Sequence, residues 1–255
     1  MKSYDDIIQN MQKEKICVIV PTYNNAGTII DIIERILLYS SDVIVIDDGS
    51  TDNTEALLKS AVLPIMLISH QYNQGKGIAL RDGLIEAKAY GYRYAITIDS
   101  DGQHFPEDIP LFVDAIIKNP NALIVGNRNL NNEHLSSGSS FANKFSNFWF
   151  MIQTGINLPD TQTGYRLYPL NIMRGINYIT SRYESELELL VFSAWHGIKI
   201  LPLDVRVYYP PAGERVSHFR PFTDFVRISV LNTVLCFLAV VYGLPMRIIR
   251  RLIGR

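Results

Sequence analysis

Short apolar runs alternate with longer segments that carry apolar residues at helical spacing through the first half of the chain. Runs of this kind predict buried strands, and apolar residues three and four positions apart predict helices. This alternation is typical of an α/β fold with a mostly parallel sheet and helices on both faces. We predict strands at residues 16–20, 43–46, 64–68, 94–98 and 122–125, and helices at 25–39, at 54–60, after Gly77 and around 109–116.

The second half of the chain has a less regular pattern. Residues 136–152 predict a helix with an aromatic stripe, which packs in the core or forms a wall for an apolar substrate. Glu184, Glu186 and Glu188 lie on another predicted helix, where we expect at least one carboxylate to point inward and the other two to face solvent. Residues 199–209 predict strand structure at a sheet edge, followed by a loop at Pro-Pro-Ala-Gly.

The C-terminal tail, residues 222–255, contains an apolar run at 228–246 whose only strongly polar members are Ser229, Asn232 and Thr233. Four arginines follow that run. A helix that spans a membrane needs about 20 apolar residues. The run at 228–246 is therefore long enough to span a membrane, but it is equally able to dock on one or to pack on the protein. We therefore divide the chain into a main domain at 1–221 and a membrane-associated helical tail at 222–255, with Gly243 and Pro245 expected to break or kink the helix.

Composition narrows the class of protein. The 255 residues carry a net charge of -1, which gives no global basic surface for nucleic acid. Two cysteines without metal or disulfide spacing favour a reducing compartment. The first 15 residues carry acids and amides where a signal peptide needs an apolar core, so we do not expect secretion.

Polar clusters follow four of the predicted strands. They lie at residues 21–24, 47–52 and 99–103 and at Arg128. Because open α/β sheets bind ligands beyond the carboxyl ends of their strands, we expect a small-molecule site at this rim.

Asp99 and Asp101 form the most informative of these clusters. On an extended strand the side chains of residues i and i+2 share a face, so both carboxylates would point to one place. Mg²⁺ and Mn²⁺ bind oxygen ligands of this kind and leave positions open for substrate phosphates. Turn formation before a helix near Pro106 is the alternative interpretation.

Five segments together resemble family 2 glycosyltransferases, and within them the dolichyl- or polyprenyl-phosphate mannose synthase branch. The resemblance covers roughly residues 15–210, and the motifs are specific only as a set. The segments are VIVPTYN at 18–24, VIDDGSTD at 45–52, NQGKG at 73–77, IDSDGQH at 98–104 and DTQTGYR at 160–166.

The resemblance implies a GT-A fold, a nucleotide-sugar donor linked to GDP or UDP, and inversion at the anomeric carbon. It implies a divalent metal, Mg²⁺ or Mn²⁺, held by Asp99, Asp101 and Gln103. Asp101, Glu186 and Arg166 are the catalytic candidates, and Arg128 and Arg166 would face acceptor or leaving phosphates. The residues implied for nucleotide-sugar binding are Pro21, Thr22, Tyr23, Asp48, Lys76, Asp99 and Ser100, with Asp47 supporting their loop from behind.

The acceptor is the open part of the prediction. A sugar hydroxyl needs a general base, whereas a lipid phosphate is already an anionic nucleophile. The apolar tail and the basic cluster of Arg215, His218 and Arg220 favour a polyprenyl phosphate or another lipid-linked acceptor at the cytoplasmic face of the membrane. Arg215 and Arg220 are then candidates for phosphate binding.

Three alternatives stay open at this point. The first is transfer to a surface polysaccharide or a soluble acceptor with Glu186 as the base. The second is a non-catalytic membrane subunit that binds a nucleotide sugar. The third is a nucleotidyltransferase, which the lack of a glycine-rich phosphate loop after the first strand disfavours.

Overall fold

The computed structural model describes residues 3–128, 137–173, 175–176, 178–209 and 221–253. The basic cluster of Arg215, His218 and Arg220 lies outside the described residues.

A seven-stranded mixed sheet is formed within these residues, in the order β3-β2-β1-β4-β6-β5-β7. Its pairs are parallel except where β6 runs antiparallel to both β4 and β5. The strands are β1 Ile16–Thr22, β2 Val43–Asp47, β3 Met66–Ser69, β4 Tyr94–Thr97, β5 Ala122–Arg128, β6 Arg166–Pro169 and β7 Lys199–Val205.

Helices cover both faces of the sheet. A 3-10 turn at Pro106–Asp108 precedes α5, and a π turn at Ala239–Gly243 joins α8 to α9. The helices are α1 Tyr4–Glu14, α2 Ile29–Leu37, α3 Thr54–Ser60, α4 Lys76–Ala89, α5 Ile109–Lys118, α6 Ser137–Thr154, α7 Glu184–Trp195, α8 Pro221–Leu238 and α9 Leu244–Ile253.

Side chains of β1 show how one strand supplies two cores. Cys17 and Ile19 face a core that also holds Leu80, Leu190 and Trp195 from α4 and α7. Alternate residues such as Val18 and Val20 face the core under α1, α2 and α5. Every residue of β1 is buried, which is why this strand reads as a continuous apolar run and not as an alternating one.

The predicted alternation of strands and helices is confirmed, but two elements were not predicted. The helix α1 begins with a capping box at Ser3 and buries Ile7 and Met11. The strand β6 has four residues and pairs between two strands that are distant from it in sequence. A short run with an arginine at its start and a proline at its end carries little local strand signal.

All three glutamates of α7 are buried, so the expected solvent-facing positions are wrong. Each carboxylate has a partner from another element. Glu184 pairs with Arg227 at 2.8 Å and Glu186 with Lys76 at 3.1 Å. Glu188 accepts hydrogen bonds from the backbone of Ile179 and Thr180 at 2.9–3.1 Å. Pairs of this kind compensate the loss of hydration that burial of a carboxylate requires.

The predicted aromatic stripe is divided between two environments. Phe150 is fully buried in the core that contains Trp195, whereas Phe148 is half exposed. Its neighbours Met151 and Ile152 are also exposed. The helix α6 therefore contributes to the core on one side and leaves apolar side chains on the other.

The C-terminal tail packs on the domain along one side. Asn232 Oδ1 accepts a hydrogen bond of 3.0 Å from Gln153 of α6, and Gly243 lies against the indole of Trp195 in α7. Residues Val226–Arg250 form a helix that is long and apolar enough to cross a membrane by length and composition. The break expected at Gly243 and Pro245 takes the form of the π turn, through which the helical path continues.

Candidate active site

The loops after β1, β2 and β4 meet at one rim because these strands are neighbours in the sheet. The amide of Asp48 donates to the carbonyl of Thr22 at 2.9 Å. The hydroxyl of Ser100 donates to the carbonyl of Pro21 at 3.2 Å and accepts from Asn25 at 2.9 Å. Hydrogen bonds therefore join these loops into one unit, which contains the acidic residues of the VIDDGSTD and IDSDGQH segments.

Asp48 anchors the NQGKG loop to this unit. Its carboxylate accepts hydrogen bonds from the amides of Gln74 at 2.9 Å and Gly75 at 2.8 Å. Gly75 has a φ of 104°, a conformation that glycine adopts without steric cost. Asp48 thus fixes the backbone from which Lys76 extends between Asp99 and Glu186. We call the space around these three side chains the cleft.

His70 is a site residue that the sequence did not indicate. Its Nδ1 lies 2.8 Å from Asp48, and its Nε2 lies 3.0 Å from Asp82 of α4. The ring is buried between the two carboxylates and joins the β3 loop to the helix behind Lys76. A lone histidine after a short strand carries no sequence pattern that would have found it.

Asp47 stabilises the loop that follows β2. Its Oδ1 accepts hydrogen bonds from the amide of Ser50 at 3.3 Å and from the Ser50 hydroxyl. Burial raises the pKa of Asp47 above its ordinary value, and the two hydrogen bonds from Ser50 oppose that effect.

Lys76, the first residue of α4, places its ammonium between two carboxylates. Its Nζ lies 2.7 Å from Asp99 and 3.1 Å from Glu186. Burial acts to lower the pKa of Lys76, but the charges of Asp99 and Glu186 raise it above its ordinary value. Burial likewise acts to raise the pKa of Asp99, and the Lys76 ammonium brings it below its ordinary value. Lys76 and Asp99 are therefore both charged at neutral pH.

Asp101 shares this environment, and it forms no ion pair among the residues that the structure describes. Burial first, and the charge of Asp99 second, raise the pKa of Asp101 to about 6. We expected Asp99 and Asp101 to share one face of an extended strand, and this expectation is wrong. The strand β4 ends at Thr97, and both acids lie in the turn after it. The Oδ1 of Asp101 accepts the amide of Gln103 at 3.0 Å, which shapes that turn.

These side chains suit a divalent cation. In the described part of the chain, no three or more His, Cys, Asp or Glu residues cluster into a metal site. Mg²⁺ in phosphate-transfer sites needs fewer protein ligands, because it uses one or two carboxylates and takes other oxygens from water and substrate phosphates. Two repelling carboxylates, Asp99 and Asp101, match this requirement.

The DTQTGYR segment packs directly against the acidic turn. Gly164 lies so close to Asp99 that an added Cβ would be 2.4 Å from its Oδ2. The Thr97 hydroxyl donates to the carbonyl of Gly164 at 2.7 Å. Only a residue without a side chain allows this approach, so Gly164 sets the position of the Asp99 carboxylate.

Arg166 is placed differently from the expectation that it faces phosphates. Its guanidinium is completely buried and donates to the carbonyls of Thr161, Thr163 and Glu186 at 2.7–2.9 Å. These donors are consumed inside the protein, where they join the DTQTGYR segment to the first turn of α7. The geometry is that of a residue which positions Glu186.

Arg128 lies beside the acidic turn but is paired with Asp160. Its Nε and Nη2 donate to the two carboxylate oxygens at 2.7 and 3.0 Å. Asp160 is buried, and burial acts to raise its pKa, but the Arg128 charge and hydrogen bonds bring the pKa below its ordinary value. Arg128 therefore presents a guanidinium that is already held in place by a carboxylate.

Solved structures establish the class of fold. The chain is similar to glucosyl-3-phosphoglycerate synthase from Mycobacterium tuberculosis, crystallised with Mn²⁺, UDP and glucosyl-3-phosphoglycerate. The TM-score is 0.70 and the identity 18%, over 93% of this chain and 84% of that one. This likeness shows the fold, and it confirms the GT-A class.

Sequence comparison then establishes the family. Residues 17–175 match the model of Glycosyl transferase family 2, so the chain belongs to that family and is a glycosyltransferase. Relatives include UDP-N-acetylglucosamine–dolichyl-phosphate N-acetylglucosaminyltransferase from Methanococcus voltae, 26% identical over 78% of this chain and 88% of the relative. The undecaprenyl-phosphate mannosyltransferase from Micrococcus luteus is 26% identical over 78% of this chain and 86% of the relative. The resemblance to the polyprenyl-phosphate branch is confirmed.

Gly164→Ala should remove most sugar transfer while leaving the fold intact. The new Cβ would displace the Asp99 carboxylate from Lys76, and misplacement by about 1 Å lowers turnover by about 100-fold. Gly27→Ala is the matched control, because no atom lies within 4 Å of a Cβ at that position. Turnover is measured as nucleoside diphosphate released with saturating substrates, and equal rates for the two variants would contradict the assignment.

Asp160→Asn should destabilise the protein by about 2 to 3 kcal/mol, because it removes a buried carboxylate that accepts several hydrogen bonds. The folded-state pKa of Asp160 is depressed, so its stabilisation is present above the unfolded pKa of about 4 and is lost as pH falls through the folded value. Urea unfolding at neutral and acidic pH measures both effects. The exposed Asp204→Asn is the control, and a variant as stable as this control at neutral pH would refute the prediction.

Proposed function

We propose that this glycosyltransferase is metal-dependent and inverting, and that it moves a sugar from a GDP- or UDP-linked donor to a polyprenyl phosphate. The observation that carries the proposal is the Lys76 ammonium held between Asp99 and Glu186, next to Asp101. This arrangement offers both cationic and metal-binding groups to a diphosphate at the ligand-binding rim of the sheet.

The donor nucleotide would occupy the rim formed by the loops after β1, β2 and β4. Three observations support this: the loops are joined by hydrogen bonds, Asp48 fixes the glycine loop, and Lys76 reaches the cleft. Backbone groups near glycines approach phosphates closely, and the lysine supplies positive charge. The residues assigned to the donor are Pro21, Thr22, Tyr23, Asp48, Lys76, Asp99 and Ser100.

Asp99, Asp101 and Gln103 would hold the divalent cation, whose charge stabilises the leaving nucleoside diphosphate. The Lys76 ammonium would also supply positive charge to that diphosphate. Arg166 would keep Glu186 and the DTQTGYR segment in place through its three carbonyl contacts. Each of these residues acts on charge or position, and none needs to form a covalent intermediate.

Transfer would then be a single displacement. An oxygen of the acceptor phosphate forms a bond to the anomeric carbon while the bond from that carbon to the donor diphosphate breaks. The electron pair leaves with the nucleoside diphosphate, and the configuration of the carbon is inverted. The charge of Arg128 acts to lower the pKa of both Asp99 and Asp101, and we assign this guanidinium to the acceptor phosphate.

A phosphate acceptor agrees with the state of Glu186. This carboxylate is buried and bound to Lys76 at 3.1 Å, so it is engaged as a counter-ion. A phosphate nucleophile requires no base. Both relatives described above are named for transfer to dolichyl or undecaprenyl phosphate. The domain at 1–221 would thus act at the cytoplasmic face of the membrane, to which the tail at 222–255 would attach it.

A hydroxyl acceptor with Glu186 as base is the second candidate. The observation in its favour is that Glu186 reaches the same ammonium as Asp99 and so lies at the centre of the cleft. The two candidates differ in what the loss of this carboxylate does to the rate.

Asp101→Asn should abolish metal-stimulated transfer. Loss of one carboxylate from the cation site weakens stabilisation of the leaving diphosphate, for which we expect about a 100-fold or larger fall in turnover. Transfer of labelled sugar to a short polyprenyl phosphate is measured with and without Mn²⁺, together with Mn²⁺ binding by electron paramagnetic resonance. Asp5→Asn, on the exposed surface of α1, is the control. The metal role would be overturned if Asp101→Asn kept full activity. It would also be overturned if the wild-type rate of transfer changed neither with added Mn²⁺ nor with a chelator.

Glu186→Gln should keep transfer to a polyprenyl phosphate within an order of magnitude of wild type, because the nucleophile is already charged. A hydroxyl acceptor would lose about 100-fold or more, since general-base catalysis contributes on that scale. Rates are compared for polyprenyl phosphate and for the corresponding alcohol. Glu184→Gln, a neighbouring buried carboxylate outside the cleft, controls for altered packing of α7. Wild-type transfer to the alcohol that falls about 100-fold or more in Glu186→Gln, but not in Glu184→Gln, would favour the second candidate.

A further inference from the structure

The tail helices α8 and α9 have an outer side that is apolar along its whole length. Among the described side chains between residues 230 and 249, no exposed one carries a charge. At 1.5 Å per residue this outer face is about 30 Å long. Its exposed apolar members are Val230, Val234, Phe237, Val240, Val241, Leu244, Ile248 and Ile249.

The inner side of the same helices is bound to the domain, both through Leu231 and Leu235 in the core that contains Trp195 and through polar contacts. Arg227 pairs with the buried Glu184, and Asn232 accepts from Gln153. Farther along, Arg247 donates to the carbonyl of Thr154 at 2.6 Å, and the Tyr242 hydroxyl lies 3.3 Å from His196. The tail therefore has one side for the protein and one for an apolar environment.

This division argues against a span. A spanning helix would leave the domain and carry Asn232 into hydrocarbon without its partner, where unsatisfied polar groups are strongly unfavourable. It would also leave Glu184 buried without the Arg227 charge. A tail lying in the membrane interface keeps every one of these contacts and buries only its outer side.

The charge of the chain end identifies the occupant of the outer face. Residues 247–255 contain no acid and four arginines, two of which, Arg247 and Arg250, lie against the domain at Thr154 and Gly197. Anionic lipid headgroups attract basic segments beside an apolar face, each basic residue contributing about 1 kcal/mol near the surface. The helix α6 contacts α8 through Gln153, and it also exposes the apolar side chains of Phe148, Met151 and Ile152.

We infer that residues 226–252 dock flat on an anionic lipid surface through this outer face, without crossing the bilayer. The inference rests on the proposed function for its biological setting. The outer and inner sides of the tail support it independently of that function. It adds a mode of attachment, monotopic docking, to the proposed membrane acceptor.

Docking of this kind is connected mechanically to the cleft. Arg227 reaches both Glu184 and, at 3.4 Å, the hydroxyl of Ser181. The carbonyl of Ser181 accepts from the amide of Gly77 at 2.8 Å, directly beside Lys76. A tail held on the membrane thus holds the first turns of α4 and α7 at a defined position relative to the lipid surface.

The test uses the full-length chain and flotation with vesicles of phosphatidylcholine containing phosphatidylglycerol. We expect wild type to float with these vesicles and to be released by alkaline carbonate. The double variant Val234→Asp with Phe237→Asp should bind about tenfold or more weakly, because two charges enter the outer face. Val62→Asp, a fully exposed valine outside the tail, should bind like wild type.

Two further measurements make the outcome decisive. Leu252→Cys, probed in sealed vesicles with a membrane-impermeant maleimide, should be labelled from the side of the domain. Resistance to carbonate together with protection of this cysteine would show a span and overturn the inference. Sedimentation without lipid that shows a dimer dissociated by the double variant, with vesicle binding unchanged, would assign the face to a second copy and overturn it too.

Sugar transfer to a short polyprenyl phosphate in detergent separates this inference from the proposed function. The double variant should retain wild-type transfer in detergent while losing vesicle binding. Wild type that floats but transfers no sugar would contradict the proposed function and leave the docking established. Wild type that transfers sugar but does not float would contradict the docking alone.

Discussion

The ion pairs of Lys76 hold the cleft together. Its ammonium joins Asp99 from the turn after β4 to Glu186 from the first turn of α7, while Lys76 itself begins α4. Three elements far apart in sequence thus converge on a single positive charge. Without it, the close carboxylates of Asp99, Asp101 and Glu186 would repel one another in a largely buried space. The proposed cation would bring positive charge to Asp99 and Asp101, and the proposed donor diphosphate would bring negative charge to the Lys76 ammonium.

The neighbouring residues serve to keep this charge cluster in place. Asp48 holds the glycine loop that leads to Lys76, and His70 connects Asp48 to the helix behind it. Gly164 allows the DTQTGYR segment to lie on Asp99, and the buried guanidinium of Arg166 joins that segment to Glu186. Residues proposed to contact a substrate and residues that align them therefore form one continuous network. This explains why several motif residues bind protein groups and not solvent.

Much of the sheet and the location of the rim could be predicted from the sequence, because buried parallel strands read as apolar runs and their polar ends fall on one edge. The position of Lys76 beside Asp99 could not, since it depends on how α4 lies on the sheet. The burial of Glu184 and Glu188 escaped prediction because their partners, Arg227 and the backbone near Ile179, come from other elements. The strand β6 was missed for a related reason: its four residues are stabilised by pairing on both sides and not by local propensity.

The antiparallel direction of β6 has a consequence for how the enzyme family can diversify. The strand β5 leaves the sheet at the rim, and because β6 runs the opposite way it also starts there. The whole excursion between Arg128 and Arg166, including α6, therefore departs from and returns to the same edge. Its length and composition can change without shifting the register of any strand. New acceptor preferences could evolve there by insertion or deletion, while the half of the rim proposed to hold the nucleotide stays untouched.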